Sequence, residues 1–274
     1  MTFQHATWRL IKTPPAPGAW NMAVDEAILE GMGCGDTPPT LRLFAWDPPC
    51  LSIGYAQPIS DIDRKNILAR GWHLVRRLTG GRAILHTDEI TYSVIGPTHE
   101  PRLAGSVIES YQRLSQALLL ALKLLELPAQ ALPKIVDQPK SFEPICFEVP
   151  SHYEITVAGK KLIGSAQARK KAGILQHGTL PLHGDLTRIT QALAFPSVAA
   201  REQAAQRLLV RATTTEAILQ RYVSWEQAAE AFVEAFSQTL NIQLQPADLT
   251  PTEIARAEEL VKEKYAHPDW NERT

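Results

Sequence analysis

The sequence predicts a single α+β domain that spans residues 1–274. Short stretches in which apolar and polar residues alternate, as in strands, lie mostly before residue 180, and the remainder has a mostly helical pattern. The chain has no internal repeat, low-complexity tract or clear linker, so one domain is the simplest organisation. A hydrophobic content of 45% and a charged content of 21% are those of an ordinary globular protein.

Strands are predicted where short apolar or alternating runs are bounded by turn-forming residues. The predicted strands cover residues 8–11, 41–46, 51–55, 72–75, 90–95, 153–157, 161–166 and 173–178.

Helices are predicted from apolar residues at helical spacing and from residues that cap helix N-termini. Asn21 would cap a first helix over residues 21–31, and Ser60 with Asp63 would form a capping box before a helix that ends at Gly71. Further helices are predicted over 107–127, 197–209, 224–240 (capping box Ser224/Gln227) and 250–265 (capping box Thr250/Glu253).

Charge and cysteine content exclude several classes of protein. A formal net charge of −1 gives no reason to expect binding to nucleic acid or to an anionic membrane. The N-terminus lacks a signal peptide, and no apolar run approaches the roughly 20 residues of a membrane span. Three cysteines without CxxC spacing argue against disulfides and zinc, and the histidines form no HxH or HxxxH pair. We therefore expect a cytoplasmic protein without metal or cofactor.

The stretch from Arg76 to His86 is the first candidate site. Gly80 and Gly81 lie between predicted strands, where glycine allows backbone N–H groups to approach a ligand closely. The cations of Arg76, Arg77 and Arg82 suit a phosphate, a carboxylate or a developing oxyanion. The alternative is a simple hairpin turn with solvated arginines.

Residues 128–150 carry the second candidate site. Five prolines exclude one long helix or a central strand, and a connection this long is either disordered or functional. Cys146 lies near its end, but a free thiol needs a nearby cation or base to act as a nucleophile at neutral pH. Lys161 could supply that cation across one hairpin, whereas His152 would instead suggest the Cys/His dyad of a hydrolase. Alternatively, Cys146 is a small buried apolar side chain.

Four blocks of the sequence resemble the biotin/lipoate protein ligase superfamily. They span nearly the whole chain in the order found in that family, which makes chance a weak explanation. The blocks are residues 21–27 (NMAVDEA), 76–86 (RRLTGGRAILH), 159–167 (GKKLIGSAQ) and, at the end, Lys264-Tyr265 with Trp270-Asn271-Glu272-Arg273.

The resemblance implies a mixed β-sheet flanked by helices, with a tunnel for an acyl group. In this family the glycine-rich turn covers the carbonyl end of a lipoyl or octanoyl group, and the lysine matching Lys161 points at that carbonyl. It implies that Cys146 and Lys161 are catalytic. The residues it implies for substrate binding are Arg76, Arg77, Thr79, Gly80, Gly81, Arg82, His86, Gly164, Ser165, Ala166, Gln167 and His177.

Three features favour an octanoyltransferase over an ATP-dependent ligase. The turn has Arg82 where the ligases usually have glycine, and residues 146–154 look like the cysteine loop of octanoyltransferases from bacteria such as bacilli. The chain also stops soon after Arg273, which leaves no room for the accessory C-terminal domain of the ligases. One departure concerns the His-Asp pair that is common after the turn. Here His86 is followed by Thr87, and Asp88 comes one place later, which puts a role for an aspartate in doubt.

The resemblance further implies a reaction and its partners. Cys146 would take an octanoyl group from octanoyl-acyl carrier protein as a thioester and pass it to a lysine of a lipoyl domain, such as that of the glycine cleavage H protein. Such a transfer needs no nucleotide, and we expect a monomer. Three alternatives stay open: an ATP-dependent lipoate ligase, a lateral amidotransferase between lipoyl domains, and a non-catalytic lipoyl-domain binder.

Overall fold

The fold is built on two β-sheets, and a computed structural model describes residues 3–33, 35, 37–133 and 153–273. The strands are β1 Ala6–Lys12, β2 Thr40–Phe44, β3 Cys50–Ile53, β4 His73–Arg76, β5 Ile84–His86, β6 Glu89–Gly96, β7 Gln130–Pro133, β8 Tyr153–Val157, β9 Lys160–Arg169, β10 Ile174–Pro181 and β11 Ile242–Pro246. The helices are α1 Gly18–Met32, α2 Arg64–Ala69, α3 Val107–Leu124, α4 Val198–Arg211, α5 Thr215–Leu219, α6 Trp225–Leu240, α7 Pro251–Leu260 and α8 Pro268–Asn271. A π-helical turn, Val261–Tyr265, extends α7.

The larger sheet has eight strands in the order β11-β1-β2-β6-β10-β9-β8-β7. Strands β11, β1 and β2 run parallel to one another, whereas the other neighbouring pairs are antiparallel. The smaller sheet has β3 at its centre, parallel to β4 and antiparallel to β5. The mixed sheet predicted by the family resemblance is therefore confirmed.

Helices cover both faces of the larger sheet. On one face, α3 and α6 pack against each other and bury an apolar cluster that includes Leu118, Phe232 and Phe236. On the other face, α1 packs against α7 and buries a second cluster around Ile28 and Leu260. Burying each such side chain contributes roughly 1.5–3 kcal/mol to the stability of the fold. The two apolar layers therefore determine which positions on the sheets can carry polar groups.

Two predicted helix starts are wrong. Helix α1 begins at Gly18 after Pro17, so Asn21 lies inside the first turn and donates its amide to the carbonyl of Ala45 instead of capping. The helix predicted to start at Ser60 begins later in the chain. Asp63 is the N-cap of α2 itself, and its carboxylate accepts from the backbone N–H of Asn66.

The capping boxes predicted for the late helices are confirmed at Ser224/Gln227 and Thr250/Glu253. Strand β11 was not predicted, because Ile242 is its one buried residue, Leu244 is partly buried, and the other three residues are exposed. The short helices α5 and α8, which span five and four residues, were not predicted either. Segments this short carry too few apolar residues to show a period.

Glu253 joins α7 to β1, the strand next to the edge strand β11 of the larger sheet. Its carboxylate accepts from Arg9 of β1 at 2.6 and 3.1 Å and from the backbone N–H of Thr250 at 2.8 Å. Burial raises the pKa of Glu253, but these hydrogen bonds and the charge of Arg9 outweigh it and hold that pKa below its ordinary value.

We predict that Glu253→Gln lowers the free energy of unfolding at pH 7 by about 2 kcal/mol. Because the folded pKa is depressed, the stabilisation is complete above the pKa of the unfolded state, about 4.3, and is lost as the pH falls through the folded value. Urea unfolding should therefore show that the difference in free energy of unfolding between wild type and variant shrinks from about pH 5 to pH 3. The exposed Glu258→Gln on the same helix is the control, and a difference that stays constant with pH would contradict the prediction.

Candidate functional site

The glycine turn joins two strands that do not pair with each other. Strands β4 and β5 lie on opposite sides of β3, so the segment between them crosses the end of β3 and is not a hairpin turn. Gly81 has a φ of +92°, a left-handed conformation that favours glycine. The alternative of a simple hairpin turn is therefore wrong.

Close backbone packing holds this turn in place. A Cβ added to Gly54 would lie 1.9 Å from the carbonyl oxygen of Gly81, so only glycine fits at position 54 without movement. The backbone N–H of Tyr55 donates to the carbonyl of Thr79 at 2.9 Å. The segment after β3 therefore forms a seat against which the glycine turn packs.

Arg77 fixes the turn from the inside. Its buried guanidinium donates to the carbonyls of Gly80 and Arg82, both at 2.8 Å, and to the carbonyl and hydroxyl of Ser52 at 3.1 Å. These charge-assisted hydrogen bonds aim the two carbonyls of the turn at the guanidinium. The backbone N–H groups of the turn are thereby held in one arrangement.

Arg76 holds the C-terminal segment against the strand that precedes the turn. Its fully buried guanidinium donates to six backbone carbonyls, which belong to Gly54, Tyr55, Gln57, Trp270, Asn271 and Arg273. The indole of Trp270 donates to the carbonyl of Arg76 at 2.7 Å in return. This arrangement fits a structural role better than the predicted contact with substrate.

A cavity of about 160 Å³ opens beside the turn. Nine of the predicted site residues line it: Arg77, Gly81, Arg82, His86, Lys161, Gly164, Ser165, Ala166 and His177. The other described lining residues are Met22, Trp46, Ser52, Ile84, Thr91, Gly178 and Thr179. A cavity of about 150 Å³ lined by apolar side chains can bind benzene, so this one has room for a short hydrocarbon group.

Four predicted residues lie outside the described lining. Besides Arg76, these are Thr79, whose hydroxyl hydrogen-bonds to Nε2 of His177 at 2.7 Å, and Gly80, which is exposed at the tip of the turn. The fourth, Gln167, donates its amide to Gln176 and to Ser110 at 3.0 Å, which links β9 to β10 and α3. Thr79 and Gln167 therefore support the cavity from behind its wall.

Lys161 is 3% exposed and lines the cavity from β9. The backbone of Lys161 belongs to β9, and it also forms a parallel β-bridge with Ala212, the residue that follows α4. These two contacts fix its position. Cys146, the partner proposed for it from the sequence, and His152, the rival partner of that cysteine, lie outside the described residues. Of the other cysteines, Cys50 is fully buried, and burial raises the pKa of its thiol far above the ordinary value, so it is inert.

A buried ionic network lies behind His177. Arg42 donates to Asp25 at 2.8 Å and to the amide oxygen of Asn21 at 2.7 Å, and Ser93 donates to Asp25 at 2.6 Å. Burial raises the pKa of Asp25, but Arg42 and these hydrogen bonds hold it below its ordinary value. Nδ1 of His177 lies 3.6 Å from Asp25, and burial lowers the pKa of His177. The conformation of His177 is thus fixed by two buried partners.

A second network passes through His86. Its Nε2 lies 2.7 Å from the hydroxyl of Ser52, its Nδ1 lies 2.5 Å from the carboxylate of Glu89, and its ring stacks on Trp46 at 3.9 Å. Ser52 and Glu89 were not predicted as site residues. Ser52 had a signal, because it is the one polar residue in the apolar run Leu51-Ser52-Ile53. Asp88, by contrast, pairs with Arg188 in a neighbouring cleft.

Within the described ranges, no group of three or more His, Cys, Asp or Glu side chains is placed to hold a metal ion. The same ranges contain no helix with the length and hydropathy needed to cross a membrane.

Comparison with known families identifies the chain. Residues 17–237 match the lipoyl protein ligase A/B catalytic domain. The chain belongs to this family. The match covers three of the four sequence blocks that carried the resemblance, together with every described residue that lines the cavity.

Relatives within the family agree over nearly the full length. The chain is 41% identical to Octanoyltransferase LipM of Brevibacillus brevis over 96% of its own length and 98% of the relative's. It is 42% identical to Octanoyltransferase LipM of Kyrpidia tusciae over 97% and 99% of the two chains. This family member is therefore an enzyme of the acyltransferase class.

A solved structure shares the fold of this family member. It is the bipartite lipoate protein ligase of Thermoplasma acidophilum, described together with its E2 lipoyl domain. The TM-score is 0.82 at 26% identity, over 98% of this chain and 97% of the other.

The close packing at Gly54 gives a test of the turn. We predict that Gly54→Ala lowers the free energy of unfolding by about 1–3 kcal/mol, because the new methyl group must displace the turn. In the matched control Gly80→Ala, the added Cβ meets no described atom within 4 Å, so the stability should change by less than about 1 kcal/mol. Chemical denaturation measures both, and equal effects would show that the seat at Gly54 is not tight.

Proposed function

We propose that this chain transfers an octanoyl group from octanoyl-acyl carrier protein to a lysine of a lipoyl domain, through a thioester on Cys146. The observation that carries the proposal is the cavity in which Lys161, the glycine turn and an apolar wall meet. Two relatives at about 40% identity that are named for octanoyl transfer support it. The reaction needs no nucleotide, because the conversion of a thioester to an amide is downhill.

The apolar wall of the cavity accounts for recognition of the acyl chain. Met22, Trp46 and Ile84 line it beside the turn, and none of them offers a charge to the hydrocarbon. Each buried methylene contributes about 0.8 kcal/mol, so an octanoyl group gains several kcal/mol over a two-carbon group.

The polar end of the cavity suits the carbonyl. Arg77 holds the carbonyls of Gly80 and Arg82 toward itself, and the backbone N–H groups of the turn become available as donors for a tetrahedral oxyanion. The buried cation of Lys161 at the same site would favour the thiolate of Cys146. The thiolate attacks the donor thioester, the C–S bond of the donor breaks so that the carrier protein leaves as a thiolate, and the acyl group remains on the sulfur of Cys146.

The second half-reaction forms the product. The ε-amine of a lipoyl-domain lysine attacks the acyl-enzyme, and Cys146 leaves as a thiolate. A lipoyl domain accompanies the ligase of Thermoplasma acidophilum, which supports a lipoyl domain as acceptor here. The glycine cleavage H protein is the acceptor that we propose.

An ATP-dependent lipoate ligase is the second candidate, because the solved structure with the same fold is a lipoate protein ligase. A ligase would release pyrophosphate in a lipoate-dependent reaction and would not need Cys146. A lateral amidotransferase would instead accept an octanoylated lipoyl domain as its donor.

The thioester gives the primary test. After incubation with octanoyl-acyl carrier protein and no nucleotide, intact-mass analysis should detect an octanoyl adduct that hydroxylamine removes. Peptide mapping should place it on Cys146, and Cys146→Ala should abolish both the adduct and the transfer. The buried Cys50→Ala is the control and should retain the adduct. Full transfer activity in Cys146→Ala would refute the thioester route.

Lys161 gives a second test. We predict that Lys161→Ala slows thioester formation by about 100-fold or more, since the thiolate loses its cation in a buried site. Lys161→Arg keeps the charge and should retain more of the rate, while Lys160→Ala, on the neighbouring half-exposed residue, is the control. Single-turnover mass spectrometry measures each rate, and a wild-type rate in Lys161→Ala would leave the lysine with a structural role only.

A further inference from the structure

The chain Ser52–His86–Glu89 links the cavity to a buried carboxylate. The distances are 2.7 Å from the Ser52 hydroxyl to Nε2 of His86 and 2.5 Å from Nδ1 of His86 to Glu89. All three residues are less than 10% exposed, and Ser52 and His86 line the cavity. They come from three different strands, β3, β5 and β6. His86 and Glu89 are three residues apart, whereas the fold brings Ser52 to them across 34 positions.

The hydrogen-bond partners fix the direction of this chain. Glu89 accepts from the hydroxyl of Thr91 at 2.7 Å, and because a carboxylate only accepts, Nδ1 of His86 is the donor in its contact with Glu89. When the imidazole carries one proton, Nε2 is therefore the acceptor for the Ser52 hydroxyl. Ser52 Oγ in turn accepts from Arg77 at 3.1 Å. A hydroxyl has two lone pairs, so one remains for a group in the cavity.

This is the arrangement of a serine–histidine–carboxylate triad. The carboxylate orients the imidazole and stabilises the imidazolium, while the imidazole can take the proton of the serine hydroxyl. Stacking of the His86 ring on Trp46, at an interplanar angle of 9°, holds the imidazole in the plane that this transfer needs. A network that only supported the fold would not need its hydroxyl end at the surface of the cavity.

We propose that Ser52, His86 and Glu89 form a proton relay that removes the proton from the acceptor lysine amine during amide formation. The inference rests on the proposed function, because it assigns a base to its second half-reaction. The neutral amine forms the new C–N bond and gives a proton to Ser52 Oγ as Ser52 passes its own proton to His86 Nε2. The C–S bond breaks with its electron pair on sulfur, and the imidazolium, held by Glu89, returns the proton through Ser52 to the thiolate.

In this relay Ser52 is the catalytic residue that touches the substrate amine, and His86 and Glu89 act through it. Base assistance of this kind contributes about 10²–10⁴ in rate. The first half-reaction, in which the acyl group passes from the carrier protein to the enzyme, involves no amine and does not use the relay. The two half-reactions therefore separate the proposal from a general effect on the site.

The test compares the half-reactions in Ser52→Ala and Glu89→Gln. Acyl-enzyme formation from octanoyl-acyl carrier protein is followed by intact mass, and its decay is then measured with a lipoyl-domain acceptor and, separately, with hydroxylamine. Hydroxylamine is a small, uncharged and strongly reactive nucleophile at neutral pH, so it depends little on a base. Ser115→Ala is the matched control, because it removes an equally buried hydroxyl from α3.

The relay predicts that both variants lose far less in acyl-enzyme formation and in decay with hydroxylamine than in decay with the lipoyl domain. Decay with the lipoyl domain should fall about 100-fold in Ser52→Ala and less in Glu89→Gln. Unchanged decay with the lipoyl domain would overturn the relay, as would an equal loss in both half-reactions, which a structural role predicts. If wild-type enzyme forms no acyl adduct, the proposed function fails first, and the relay fails with it.

Discussion

The conformation of the glycine turn depends on the two arginines that precede it. Arg77 binds the carbonyls of Gly80 and Arg82 from inside the cavity, and Arg76 binds carbonyls of the C-terminal segment and of the seat that follows β3. A buried guanidinium is stable only where acceptors satisfy it. The turn, the seat and the C-terminal segment therefore form one unit, and the position of the backbone N–H groups that we propose as oxyanion donors follows from it.

Two sets of buried side chains support the polar groups around the cavity. His177 rests on Thr79 and on the buried Asp25–Arg42 pair, while His86 rests on Glu89 and Trp46. Both supports are built from side chains of the sheets and of α1, whose packing leaves little room for movement. Such rigid support is what a site needs when it stabilises charge only during the reaction.

Much of the fold and part of the site could be predicted from the sequence. The Ser224/Gln227 and Thr250/Glu253 boxes are local signals, and the structure has both. The contacts of Arg76 with Trp270–Arg273 join residues almost 200 positions apart, and no local pattern reveals them. The role of Ser52 appears only when β3 is placed beside His86, whereas Glu89 lies three residues after His86 and could have been proposed from that spacing.

The most direct measurement of the central claim is a crystal structure of the protein with octanoic acid bound. The account predicts that the carboxyl end lies within about 3 Å of Nζ of Lys161 or of the backbone N–H groups of residues 79–82. The hydrocarbon should lie against Met22, Trp46 and Ile84. Octanoic acid bound instead in the outer groove lined by Leu68, Trp72 and Leu74, with the cavity beside the turn holding water, would contradict the account.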